Sequence, residues 1–184
     1  MKQWRQFEKD TIEMLAGEIG KLELQYRLFE PEERMPVQVL GILLEYLGEE
    51  EQSVKLEICF LPLEEEKRED AGFNYVQFFA IIRDDIGKEA EEDILKLTNI
   101  LNTLLPVGNV ALGENGKILY MKYCFPLLQG MGEAMTMQML DTVLATFIYT
   151  LDTYIDAMTW VADGRLGAED AIRSGIPVNG GKER

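Results

Sequence analysis

Carboxylates are the only side chains numerous enough in this 184-residue sequence to build a reactive centre: Asp and Glu total 33, Lys and Arg 18, and histidine is absent. Paired carboxylates can divide acid and base roles or hold a hard cation. The densest run is Asp84-Asp85 followed by Glu89, Glu91, Glu92 and Asp93. It lacks the alternating oxygen ligands, central glycine and closing glutamate of a calcium loop, and acids at a helix start complement the helix dipole. The run therefore reads as a solvated helix start. Asp152 and Asp156 stand four apart and share a helix face, but that face lies roughly opposite the Phe147/Leu151/Met158 stripe. Both are expected to face solvent.

The missing histidine removes the commonest general base, the commonest transition-metal ligand and every arrangement of a nucleophile activated by imidazole. Cys59 and Cys124 each sit in an apolar, strand-like run and neither has a partner at zinc-ligand spacing, so they read as small buried hydrophobes. Gly113, Gly116, Gly130 and Gly132 form no phosphate-binding signature. No metal, cofactor or catalytic residue is expected. The net charge of −15 opposes approach to nucleic acid and to anionic membrane surfaces, and the basic residues are scattered rather than interleaved with aromatics. The first ten residues lack the apolar core of a secretory signal, and no apolar stretch approaches the ~20 residues needed to span a bilayer. A cytoplasmic protein is the expectation.

The elements that carry these residues follow from periodicity. Apolar positions at intervals of three to five predict a helix over residues 2–20. A period of two over residues 22–28, in Leu22, Leu24, Tyr26 and Leu28, predicts a strand, and further β-rich runs cover residues 37–47, 54–63 and 73–82. Acidic loops around Glu49-Glu50-Glu51 and over residues 64–70 separate these runs, so an antiparallel meander fits. Helical spacing returns over residues 89–105 and is ended by Pro106 and Gly108. Asn115-Gly116 predicts a hairpin joining residues 109–112 to 117–125. A long helix over residues 133–162 follows, with Leu140, Val143, Leu144, Phe147, Leu151, Tyr154, Ile155 and Met158 as its stripe. A single α+β domain over residues 1–163 is predicted, an antiparallel β-sheet packed against helices in the order α-β-β-β(-β)-α-β-β-α. Residues 164–184 are a short, partly flexible extension with one helix near residues 168–174.

The segment from Leu97 to Met158 resembles the YbjN-like family, which has the fold of type III secretion chaperones. The resemblance rests on Leu97-Thr98-Asn99-Ile100-Leu101-Asn102, on Leu104-Leu105-Pro106-Val107-Gly108 and on the turn Glu114-Asn115-Gly116-Lys117-Ile118. It continues through Leu119-Tyr120-Met121-Lys122-Tyr123 and the long helix marked by Leu140, Val143, Phe147 and Tyr154. It covers about a third of the chain. The strand at residues 22–28 and the loop at residues 64–70 depart from the family pattern. The resemblance implies helices on one side of a twisted antiparallel sheet, a homodimer, a role in binding other proteins and no enzymatic activity.

Binding rather than catalysis is accordingly the expected function: a non-enzymatic module, chaperone-like or a regulatory adaptor, engaging a protein partner that is basic or carries an exposed apolar segment. The acidic surface would speed encounter with such a partner. Met131 and Met135, at the start of the long helix, and Tyr149 and Trp160, off its apolar stripe, are the candidate partner or dimer interface, since methionine adapts to varied partners and Tyr and Trp dominate binding hot spots. Core packing for the methionines and a second buried flank for the aromatics are the competing readings. A small carboxylate-based metal-dependent enzyme and a purely structural assembly subunit are the alternatives from other classes.

Overall fold

Side chains that alternate between apolar and polar along a strand can bury only one face of a sheet, and this chain places its helices on that face. The computed structural model describes residues 3–33, 35–62, 72–113 and 116–175. Among these residues the order is α1 (Gln3–Lys21), β1 (Gln25–Phe29), β2 (Val39–Leu47), β3 (Gln52–Phe60), β4 (Phe73–Arg83), α2 (Glu91–Leu104), β5 (Asn109–Leu112), β6 (Leu119–Leu128), α3 (Glu133–Ala162) and α4 (Ala168–Gly175). The strands form one antiparallel sheet, β1-β2-β3-β4-β6-β5. The described residues form an α+β fold of six strands and four α-helices, as the element order predicts.

The buried face carries Leu40, Ile42 and Leu44 of β2, Val54, Leu56, Ile58 and Phe60 of β3, and Val76, Phe78 and Ala80 of β4, all in one core cluster with α1, α2 and α3. Each such large side chain contributes about 1.5–3 kcal/mol by leaving water. Phe78 sits at the middle, its ring 5.8 Å from that of Phe147 on α3 and 6.0 Å from that of Phe125 on β6. Buried polar groups are tied into the layers. Asn74, 1% exposed, donates to Glu8 of α1 and accepts from Gln129 in the link to α3. Asn102 of α2 both donates to the Val110 carbonyl and accepts from the Val110 N–H, fixing the edge strand β5 to the helix. The helix α4 packs Ala168 and Ala171 against α2 and α3. No described helix is long and apolar enough to cross a membrane.

Three sequence expectations shift. The first strand starts at Gln25 rather than Leu22, because the chain turns at Glu23, with φ +59°, leaving Leu22 65% exposed. The third strand runs Gln52–Phe60, so the turn before it is tighter than the acidic composition implies, and the loop at residues 64–70 lies outside the described residues, as do Glu114, Asn115 and residues 176–184. The hairpin itself is present: β5 pairs with β6, and Gly116 takes φ +66°.

The third shift concerns Asp156, expected with Asp152 at the solvent; Asp152 is exposed, as expected. Asp156 is buried, and its Oδ2 accepts the Glu49 N–H at 2.6 Å; Asp152 accepts the Gly48 N–H at 2.8 Å. One turn further along, Trp160 donates its indole N–H to Glu50. Spacing of i, i+4, i+8 thus lets one face of α3 grip three consecutive residues of the β2–β3 turn. That face is opposite the Phe147/Leu151 stripe, yet Asp156 on it is covered, because β2 ends in a bulge that brings the turn over the helix. Tyr46 and Glu51 adopt positive φ to make the turn, and Gly48, at φ +70°, lies so close to Asp156 that an added Cβ would stand 2.5 Å from its carboxylate.

Removing the Asp156 carboxylate strands the Glu49 amide, so Asp156→Ala should lower stability to urea unfolding by about 1–2 kcal/mol. Gly48→Ala should cost at least as much through its backbone conformation and the clash, and Asp152→Ala less because its bond is exposed.

Candidate functional site

The residues able to do chemistry lie apart. Asp84 and Asp85 are both exposed, and Glu92 is held by Lys96 at 2.7 Å, which lowers its pKa. Among the described residues no three acidic or thiol groups converge at metal-binding spacing. Cys59 and Cys124 both point to the face of the sheet away from the helices, on either side of Gln77: Cys59 pairs with Gln77 across β3 and β4, and Gln77 with Cys124 across β4 and β6. Two strand spacings, about 10 Å, exceed the reach of a disulfide. Burial pushes the Cys59 thiol up to about 11, so it is a poor nucleophile at neutral pH.

The four proposed interface residues do not form one patch. Met135 is exposed at the start of α3 and Met131 precedes the helix half-buried, whereas Tyr149 lies fourteen residues on from Met135, about 21 Å along the axis. Trp160 is half-buried and engaged. Its indole N–H donates to Glu50, whose carboxylate also accepts from both terminal nitrogens of Arg165, and the Arg165 guanidinium sits 5.9 Å from the indole centroid. Those hydrogen bonds from Arg165 and Trp160 hold the Glu50 carboxyl at about 2, well below the usual 4.5. Trp160 and Glu50 thus fasten the β2–β3 turn, and the polar groups of both are engaged there.

Tyr149 is different. It is 68% exposed and lines a groove of about 600 Å³ between the end of α1, the α1–β1 turn and the middle of α3. Leu22, Leu24, Leu144 and Ile148 provide the apolar floor and walls. Leu22 is exposed there by the turn at Glu23, and Tyr149 by its position on the gripped face of α3, one turn before Asp152. Around this apolar lining stand Glu18, Asp141 and Asp152, with Lys21 the single cation, already bonded to Glu18 at 2.6 Å. The groove is therefore apolar within and acidic at its edge. It can bury an apolar side-chain row and attract the positive charges beside it; it contains no pair of groups placed to move a proton.

Tyr149 was identifiable from the sequence as an aromatic off the helix stripe. Leu22 was not, because alternation with Leu24 and Tyr26 marked it as facing inward. Comparison of the chain with protein-family models gave no match, and comparison with curated proteins gave none.

Tyr149→Ala should leave stability within about 0.5 kcal/mol in urea unfolding, whereas Phe147→Ala, two residues away and fully buried, should cost about 3–5 kcal/mol. Because the folded-state pKa of Glu50 lies below its unfolded value, its stabilising contribution is full above pH 4.5 and is lost as the pH falls toward 2. The thermal midpoint should drop across that window, and Glu50→Gln should drop less steeply.

Proposed function

We propose that this chain is a non-enzymatic protein-binding module of the cytoplasm, YbjN-like in kind, whose α1–α3 groove receives an apolar segment of a partner flanked by basic residues. The observation that carries this reading is the groove itself: Leu22 and Tyr149 remain exposed beside Ile148 and Leu24, inside an edge supplied by Glu18, Asp141 and Asp152. Exposed aromatic and leucine side chains in a concavity are what hot-spot contacts require, and a chain of net charge −15 raises the encounter rate with a cationic segment. Two free thiols that cannot reach one another fit a reducing compartment. The groove has room for a single row of side chains, as one face of an amphipathic helix presents at i, i+4 and i+7.

The test uses fluorescently labelled amphipathic peptides, each with a leucine-rich face and lysine or arginine flanks, in anisotropy titrations. Saturable binding is expected, weakened at least tenfold by Tyr149→Ala or Leu22→Asp, weakened by salt, and absent for the same peptides with glutamate flanks. Binding that ignores both substitutions, or no binding by any cationic peptide, overturns the assignment.

A further inference from the structure

Strand register sets one glycine on the sheet face turned away from the helices. Across β1, β2, β3, β4, β6 and β5 its row reads Arg27, Gly41, Glu57, Phe79, Lys122 and Asn109. The next row reads Gln25, Leu43, Lys55, Ile81, Tyr120 and Ala111. Arg27 and Glu57 stand two strand spacings apart, about 10 Å, with only Gly41 between them. The sheet is therefore notched there, and the notch is a cavity of about 330 Å³ whose lining includes Arg27, Phe29, Leu43, Lys55 and Glu57. Phe29 leans over the glycine, where an added Cβ would stand 2.9 Å from its ring, and remains 44% exposed. The Arg27 guanidinium lies 5.0 Å from the centroid of that ring, which holds it in place by cation–π attraction.

The charges at the notch are unspent. In a chain of 33 acidic and 18 basic side chains, an exposed cation ordinarily finds a carboxylate, yet among the described residues Arg27, Lys55 and Glu57 make no ion pair. Glu45, just outside the lining, is bonded by Gln25 at 3.3 Å. We propose that the notch binds a small aromatic carboxylate. Its carboxylate takes the Arg27 fork, which matches two oxygens at once, and Lys55 adds a point charge from the opposite wall. Its ring packs on Leu43, the edge of Phe29 and the aliphatic stem of Lys55. Two cations against Glu57 leave a single positive charge, which one carboxylate neutralises, and a second anionic end would meet Glu57. The volume is at the small end of ligand pockets, ~300–1,000 Å³, and suits one or two rings. The charge of −15 does not forbid this, because beyond the Debye length of about 8 Å at physiological salt the remote acids are screened while Arg27 and Lys55 are in contact. This inference does not depend on the α1–α3 groove, which lies on the other side of the sheet.

Isothermal titration calorimetry with naphthoate as the probe should show saturable one-to-one binding. Naphthamide keeps the shape without the charge and should bind at least tenfold more weakly, and naphthylmethylammonium should not bind. Arg27→Gln should weaken naphthoate at least tenfold and Lys55→Gln at least threefold, whereas Glu57→Gln should tighten it. All three positions are exposed, so the urea midpoints should match the wild type and exclude misfolding as the cause. Tyr149→Ala and Leu22→Asp, which abolish peptide binding in the groove, should leave naphthoate binding unchanged. Absence of naphthoate binding, equal affinity for the acid and the amide, or indifference to Arg27→Gln and Lys55→Gln overturns the proposal. So does loss of naphthoate binding in the two groove variants, or a glutamate-rich peptide that binds through Arg27 where naphthoate does not.

Discussion

The arrangement depends on one constraint: a sheet whose strands alternate in polarity has two faces, and the helices of this chain cover one. Phe78 and Phe79 are adjacent in sequence and opposite in fate. Phe78 is fully buried between Phe125 and Phe147, while Phe79 lies on the bare face beside Tyr120. Burial of the first set holds the fold together, and exposure of the second leaves a surface whose apolar area gains free energy only by meeting another molecule.

Covering the buried face requires α3 to lie at a defined height and rotation. The core stripe of Phe147, Leu151, Ile155 and Met158 sets its rotation, and the grip of Asp152, Asp156 and Trp160 on residues 48–50 sets its position along the axis. Backbone amides captured by carboxylates are directional in a way that apolar contact is not. The grip also shapes the groove, because Asp152 belongs to both: it accepts the Gly48 N–H and stands at the groove's acidic edge. A contact that serves stability therefore fixes a wall of the surface assigned to binding.

Element type and order follow from periodicity because local patterns decide them, and the turn chemistry of residues 113–118 locates a hairpin without tertiary information. What periodicity cannot convey is which polar residue ends beneath another element. Asp156 falls opposite the apolar stripe on a helical projection, and its burial arises from a turn 107 residues earlier in the chain. Leu22 fails for the converse reason, since a positive φ at Glu23 breaks the alternation that would turn it inward. The bare sheet face did leave a signal: from Val76 to Ile82 β4 is apolar on both faces, apart from Gln77, a pattern that belongs to a strand covered on two sides. The described helices, on one side, account for half of it.

The most direct measurement is hydroxyl-radical footprinting of the chain at nanomolar dilution, read residue by residue along β4 and β6. Oxidation of Phe79 and Tyr120, with Phe78 and Phe147 protected, is the predicted result. Protection of Phe79 and Tyr120 equal to that of Phe78 would mean that a further layer of the same chain covers the second face, and would contradict the one-sided sheet on which the account rests.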